Sequence, residues 1–512
     1  MVRRATSASI AALLVATLLV PALATGPALA TGPAAAAPSA VPISLMTFNI
    51  EYGGTVIVFA KIVEAVAMSE ADVIGLNEAY AHVRRVAREA GYGYWNNRLD
   101  LISRYPFIDP PGADGRYVFI ELAPGRVVAV ANLHLASSDY GPRRILDGWS
   151  RRKVLRTERR VRLPELRPFV RALAPVAASG IPSFVIGDMN SPSHVDYTRA
   201  TVGQRPQILW PVAWPVTRLL ERRGFVDSWH AVHTDPTTDE GLTWPAARPP
   251  SPDSWNPRKD APKDRIDQIW VAGGTATPLE SIVIGERGGP EVSIEVEPWG
   301  SDHRAVRSSF DVVPWTPPVL AAASPRLADA GDDVTVTYHA PGAPGERVVI
   351  VPAGGDPVTD ALDGRVTPPG QPIDGSVAFP TGALTPGSYE AVLVDAADAP
   401  LSRGPFWVRM PGADPVISTT KWSFGVGEPI GVTWTLAPGN RFDWIGLYGR
   451  HADPKVASYE GYVYTGAREE GSGTIGRTGV SRWPLPPGRY TVYYLLSDNY
   501  RQVASDDFVV RG

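Results

Sequence analysis

Six stretches between residues 43 and 310 join an apolar run to polar residues that could do chemistry. Residues 43–50 (ISLMTFNI) carry Asn49, 71–78 (ADVIGLNE) end in Glu78, and 127–135 (VVAVANLHL) carry Asn132 and His134. Residues 183–190 (SFVIGDMN) bring Asp188 and Asn190, 265–271 (RIDQIWV) bring Asp267 just after Asp264, and Ser301, Asp302 and His303 precede another short run. Singly these are ordinary, since a strand histidine is usually a satisfied structural residue and a carboxylate at a strand end usually caps a turn. Six in one block call for a shared explanation. Carboxylates and amide oxygens suit a hard divalent cation such as Mg²⁺. Histidines beside carboxylates offer acid–base or electrostatic roles near neutral pH, and asparagines can orient a nucleophile or donate to a developing oxyanion. The chain has neither a Gly-rich P-loop nor an H-E-x-x-H, which argues against a nucleoside triphosphatase and a zincin protease. Together the set points to metal-assisted hydrolysis of a phosphoester.

Nine short motifs fall in order along this block: FNI (48–50), NE (77–78), SRYP (103–106), NLHL (132–135), GDMN (187–190), GFVDSW (224–229), GLTW (241–244), DRID (264–267) and SDH (301–303). The series resembles the endonuclease/exonuclease/phosphatase superfamily, which includes deoxyribonuclease I, exonuclease III-type repair nucleases, neutral sphingomyelinases and inositol-polyphosphate 5-phosphatases. The resemblance implies an α+β fold, a four-layer α/β/β/α sandwich whose strand ends share one rim. It implies Glu78 as principal metal ligand with Asn49 beside it, and Asp302 assisting the metal or the neighbouring histidine. It also implies that His134 contacts the scissile phosphate and that Asp188 and Asn190 align or deprotonate the attacking water. His303 becomes general base or transition-state stabiliser, oriented by Asp267, with Asp264 as the alternative orienting acid. The ion the resemblance implies is Mg²⁺ or another divalent cation such as Mn²⁺ or Ca²⁺. One departure is Asn77, which stands where the family has Gln and has a shorter reach. The substrate implied is a phosphoester, with nucleic acid, a phospholipid headgroup and a sugar phosphate all open.

The elements that must position these residues follow from the rest of the chain. Its 512 residues contain no cysteine, which excludes a disulfide scaffold, a Cys-ligated zinc site and a thiol nucleophile. Residues 1–37 read as a secretory signal peptide, with Arg3 and Arg4 before the apolar stretch 10–20 and small residues after it. The expected protein is therefore secreted and extracellular, with no transmembrane segment. Residues 41–313 alternate strand-like and helical runs and form the expected catalytic domain. After the proline-rich segment 313–318, short β-like runs predominate, and the sequence repeats itself. GDDVTVTY (331–338) returns as GEPIGVTW (427–434), and LTPGSY (384–389) as LPPGRY (485–490). Offsets near one hundred residues predict two all-β immunoglobulin-like sandwich modules, 319–411 and 415–512.

Charge divides the chain unevenly. The block 41–313 holds equal numbers of acids and bases, whereas the tail is net acidic and adds no affinity for a polyanion. Within the neutral block, 143–171 carries eleven Lys/Arg and three acids, either a polyanion track or a solvated helix face. Residues 207–216 (QILWPVAWPV) could dock a membrane or pack as core, and Trp422, Trp434, Trp444 and Tyr448 could present a cell-wall or glycan surface, with core packing favoured. His82, His194, His230 and His233 are expected to be exposed. The expectation is a monomeric, secreted metal-dependent phosphoesterase. The alternative, from another class, is a non-catalytic surface- or glycan-binding protein whose first domain is a relic.

Overall fold

The computed structural model describes residues 39–252, 256, 260–369, 375–476 and 483–512. The expected signal peptide, 1–37, lies outside the described residues. The first block contains thirteen strands. They are β1 (Val41–Asn49), β2 (Val73–Asn77), β3 (Tyr94–Asn96), β4 (Leu101–Ser103), β5 (Phe107–Ile108), β6 (Val118–Ala123) and β7 (Arg126–His134), followed by β8 (Ser183–Asp188), β9 (Val226–Asp227), β10 (Asp267–Ala272), β11 (Ala276–Gly285), β12 (Val292–Glu295) and β13 (Ala305–Val312). One sheet runs β12-β11-β13-β1-β2-β4-β3 and the other β5-β6-β7-β8-β10-β9.

Side chains alternate across a strand, so each strand serves two cores at once. Leu45, Val73, Val128, Val130, Phe184, Ile186 and Ile269 fill the space between the sheets. Their neighbours Met46, Phe48, Ile74 and Leu76 face outward against Ile62, Ala65, Val66 and Val83 of the helices Phe59–Ser69 and Val83–Glu89. Ala129, Leu133, Val185 and Trp270 pack instead against Leu166, Val170 and Leu173 of the helix Leu163–Ala178. Strands buried on both faces read as unbroken apolar runs, as β2 and β8 do. The layers are helix, sheet, sheet, helix.

The same alternation places the polar residues. Asn49, Asn77, Asn132, His134, Asp188 and Asp267 share strand parity with the residues between the sheets, and all lie at one end of their strands. The polar residues therefore form the mouth of the inter-sheet core. Gly75 makes room there, because a Cβ on it would lie 2.6 Å from the Asn132 Oδ1.

The tail is all β. Residues 320–409 form sheets of three and five strands around one core, and residues 416–511 repeat that arrangement with the same strand order around another. In both, the repeated L-x-P-G-x-Y is a turn closed by its tyrosine, Tyr389 Oη donating to the Thr385 carbonyl at 2.6 Å and Tyr490 Oη to the Pro486 carbonyl at 2.9 Å. The proline-rich segment is fastened to the first block, since Trp315 and Val127 exchange backbone hydrogen bonds of 3.0 and 2.8 Å. Trp434, Trp444 and Tyr448 are buried, which leaves Trp422 exposed under Arg511. Residues 207–216 contribute Ile208, Val212 and the fully buried Trp214 to a satellite core, so that loop packs inward.

Candidate active site

β1, β2, β7, β8 and β10 deliver their polar ends to a cleft of about 300 Å³. Glu78, His134, Asp188, Asn190, Asp302 and His303 line it. Asn49 and Asp267 lie just behind, fully buried. At the centre is the Asp188 carboxylate. Its Oδ2 lies 3.6 Å from His134 Nε2 on one side and 3.8 Å from His303 Nε2 on the other. Asn190 donates its backbone N–H to Oδ1 at 2.8 Å and its side-chain amide to Oδ2 at 3.1 Å. Asn49 Nδ2 bridges Asp188 Oδ2 (3.2 Å) and Glu78 Oε1 (3.1 Å), while its Oδ1 accepts the Glu51 N–H. Thus Asn49 stands beside Glu78 as expected, but through its amide donor.

Asp264 and Asp267 have different partners. Asp267 Oδ2 accepts from His303 Nδ1 at 2.9 Å. Asp264, three residues earlier, instead accepts from Tyr197 and Tyr140 at 2.7 and 2.9 Å. Burial disfavours a charged His303, but Asp267, Asp188 and Asp302 outweigh it and hold the imidazole pKa well above its usual value. Burial pushes the Asp188 carboxyl up to about 6, with His303 opposing and Asp267 reinforcing the rise.

Asn77 performs both of its tasks despite its short side chain. Its Nδ2 donates to the Leu133 carbonyl at 2.7 Å and its Oδ1 accepts the Asp188 N–H at 3.0 Å, bridging the two sheets under the site. Glu78 then turns through a left-handed conformation (φ 53°) and accepts the Tyr52 N–H at 3.1 Å. Asn190 is also left-handed (φ 46°), and such backbone strain gathers at functional sites.

Sequence reasoning missed several residues here. Glu51 is buried and held by Arg248 through two 2.6 Å contacts, and it accepts the Asp302 N–H at 3.0 Å. Trp244 Nε1 donates to Asp302 Oδ2 at 3.1 Å, and its ring lies between Tyr140 and His303. Glu51 opens the short helical segment Glu51–Gly54, and Arg248 and Trp244 lie in stretches without periodicity, although GLTW flagged Trp244 as part of a motif. The histidines expected to be exposed are tied down. His82 Nδ1 contacts the Gly53 carbonyl at 2.7 Å, His194 contacts Thr217 at 3.0 Å, and His233 contacts the Ser281 carbonyl at 2.8 Å. His230 meets Asp196 at 2.5 Å. None of the four lines the cleft.

The donor set can be tested for a cation. Asp188, Asp267 and His303 offer ligand atoms within 4.8 Å of one another. Asp267 and His303, however, already share a hydrogen bond away from the cleft, which makes them a proton-handling pair. Glu51, Glu78, Asp188 and Asp302 are the carboxylates among the described cleft-lining residues, and burial raises the Asp302 pKa, with His303 opposing and Glu78 adding to the rise. Among the described residues that line the cleft none is Lys or Arg, so this crowding of oxygen donors and negative charge fits a hard divalent ion.

The basic run lies elsewhere. Arg143 pairs with Asp147 and Asp260, Arg144 and Arg160 with Asp139, and Arg162 with Glu158. Arg151, Arg152, Arg156, Arg159, Arg167 and Arg171 are exposed and do not line the cleft.

An uncharacterized protein of Caenorhabditis elegans, F14F9.5, is 29% identical over 259 residues, a stretch that is 45% of this chain and 79% of that protein. Similar solved structures include an endonuclease/exonuclease/phosphatase from Beutenbergia cavernae DSM 12333, 16% identical over 72% of this chain and 99% of that one, with a TM-score of 0.32. An AP endonuclease from Archaeoglobus fulgidus is 15% identical, covering 53% and 100% respectively, with a TM-score of 0.32. Residues 46–303 match the sequence profile of the Endonuclease/Exonuclease/phosphatase family. That match spans half of the sequence and takes in the whole polar set from Asn49 to His303, and the chain belongs to the endonuclease/exonuclease/phosphatase family.

Proposed function

We propose that the protein is a divalent-metal-dependent hydrolase that cleaves phosphodiesters by direct attack of water. Members of its family are hydrolases acting on phosphoester bonds. The observation that carries the reading is the Asp188 carboxylate flanked by two imidazoles, one of them held by Asp267 at 2.9 Å. Diesters are favoured because they carry one negative charge where monoesters carry two, and the described cleft lining offers four carboxylates without a Lys or Arg.

Glu78 and Asp302 would hold the ion, with Asn49 fixing Glu78. When bound, a divalent cation supplies Lewis-acid polarisation of a phosphoryl oxygen. The chain's own groups do the rest. Asp188 and Asn190 orient the water, and a carboxyl raised to about 6 is a competent proton acceptor near neutral pH. His303, kept charged by Asp267, donates from Nε2 to the phosphoryl oxygen where negative charge develops, and His134 serves it from the other side. A new P–O bond forms to water as the P–O bond to the leaving group breaks, and the proton passes to the departing oxygen. No enzyme–phosphate ester forms.

The test uses purified protein, Mg²⁺ with and without EDTA, and a panel of bis(4-nitrophenyl) phosphate, 4-nitrophenyl phosphate, plasmid DNA, RNA, sphingomyelin and inositol phosphates. The expected result is EDTA-sensitive hydrolysis of the chromogenic diester above the monoester, restored by Mg²⁺ or Mn²⁺. Inertness toward the whole panel would leave the relic reading standing. We also read the chain as exported, on residues 1–37, and the tail sandwiches as immunoglobulin-like, on their repeated strand order and tyrosine-closed turns. Among the described residues no helix is long and apolar enough to cross a membrane.

A further inference from the structure

His134 is touched by a residue 308 positions away in sequence. The ring of Phe442, from the last β-sandwich, meets the imidazole edge to face with centroids 6.1 Å apart. Phe442 precedes the strand Trp444–Gly449 but does not join its own sandwich's apolar core. Its position is fixed from behind: its carbonyl accepts the Asp498 N–H at 2.7 Å, and its ring lies 6.3 Å from Tyr464, whose hydroxyl donates to Asp498 at 2.7 Å.

The surrounding contact is built. Arg98 Nη1 of the first block donates to Glu469 Oε1 of the last sandwich at 2.7 Å, with side chains only 10% and 2% exposed. Arg441, beside Phe442 and itself buried, lies 5.0 Å over the Phe169 ring on the helix that covers β7. The Gly115 and Ala467 backbones approach so closely that a Cβ on Gly115 would lie 2.4 Å from the Ala467 Cβ. Buried ion pairs persist only where geometry is well determined on both sides. A half-buried aromatic ring that leaves its own core for a cleft imidazole is hard to explain as packing within its module.

We infer that the terminal sandwich is a working part of the active site, with Phe442 as a positioning residue that holds the His134 ring toward Asp188. Its effect on turnover rests on the phosphodiesterase reading; its effect on His134 does not. The test compares full-length Phe442→Ala, Phe442→Tyr and, as a control on the same sandwich, Trp422→Ala. Phe442→Ala is expected to lower kcat about tenfold or more with KM changed little, while Phe442→Tyr restores most of the loss and Trp422→Ala none of it, having lost nothing. In parallel, the His134 imidazole resonances, assigned by their loss in His134→Gln, are expected to move in Phe442→Ala as the ring current of Phe442 disappears. Wild-type kcat together with unmoved His134 resonances in folded Phe442→Ala would overturn the inference. If the wild-type protein hydrolyses no phosphoester, the resonances alone decide: displacement upholds the contact and its absence overturns it.

Discussion

His303 and Asp188 illustrate how surroundings set chemistry at the scale of a single residue. Both are buried, yet Asp267, Asp188 and Asp302 outweigh burial and hold the imidazole charged, whereas burial, reinforced by Asp267, raises the carboxyl to about 6. Replacing Glu78 or His303 with Gln is expected to lower kcat by about 10²- to 10⁴-fold with circular dichroism unchanged, measured on the chromogenic diester. Asp264 carries a different consequence. Burial raises its carboxyl to about 6 against the pull of Arg205 and of hydrogen bonds from Tyr197 and Tyr140. A raised folded pKa means the folded state binds the proton more tightly, so this group's stability is fully present below about pH 4 and is lost as pH rises through about 6. The loss is on the order of 3 kcal/mol. Unfolding midpoints from pH 4 to 7 should therefore fall less steeply in Asp264→Asn, with a remaining slope from Asp188 and Asp443, both also raised to about 6 by burial. The sequence favoured Asp267 over Asp264 only by resemblance, because nothing local shows that Asp264, bridged to Trp244, meets two tyrosines far away in the chain while Asp267 opens β10.

Strand parity carries the explanation at the scale of elements. Because alternate residues of β1, β7 and β8 already fill the inter-sheet core, the polar residues that continue the same parity must emerge between the sheets. That rule was legible in the sequence, where each apolar run named its own polar terminus, and it is why the motif residues converge. What the rule cannot supply is placement outside the strands: Glu51 and Trp244 reach the cleft, and Arg248 reaches Glu51, through segments whose course no period encodes. Two element-level outcomes follow. Gly187 has φ 142°, and a Cβ there would lie 2.0 Å from the Leu133 carbonyl of β7. Gly187→Ala is expected to destabilise by more than ~3 kcal/mol, read as a lowered Tm or insoluble expression. Asn132 Nδ2 donates to the carbonyls of Leu76, Leu99 and Asp100, tying the opposite sheet beneath Glu78. Asn132→Ala should lower stability by about 1–3 kcal/mol in chemical unfolding and reduce activity with it.

Across the whole molecule, residues 40–512 form one compact unit, and the tail is attached by specific pairs. Removing one partner of the buried Arg98–Glu469 pair, as in Glu469→Ala, should lower stability by about 3–5 kcal/mol, visible in calorimetry as a separate earlier transition of the last sandwich. The internal repeat announced two similar modules, and their matching strand orders follow from it. Their docking onto the first block was not legible, because Arg98, Glu469 and Phe442 are joined only in space. The topology also has a consequence in time. β1 is the first strand among the described residues, yet one edge of it is covered only by β13, in register from Val41 opposite Val312 to Thr47 opposite Val306. Roughly 260 residues must leave the ribosome between the two, which at ~5–20 residues per second keeps that apolar edge open for tens of seconds. The nascent chain is in that interval a client for a chaperone that binds extended segments, and cell-free translation without one should yield aggregate where translation with one yields soluble protein.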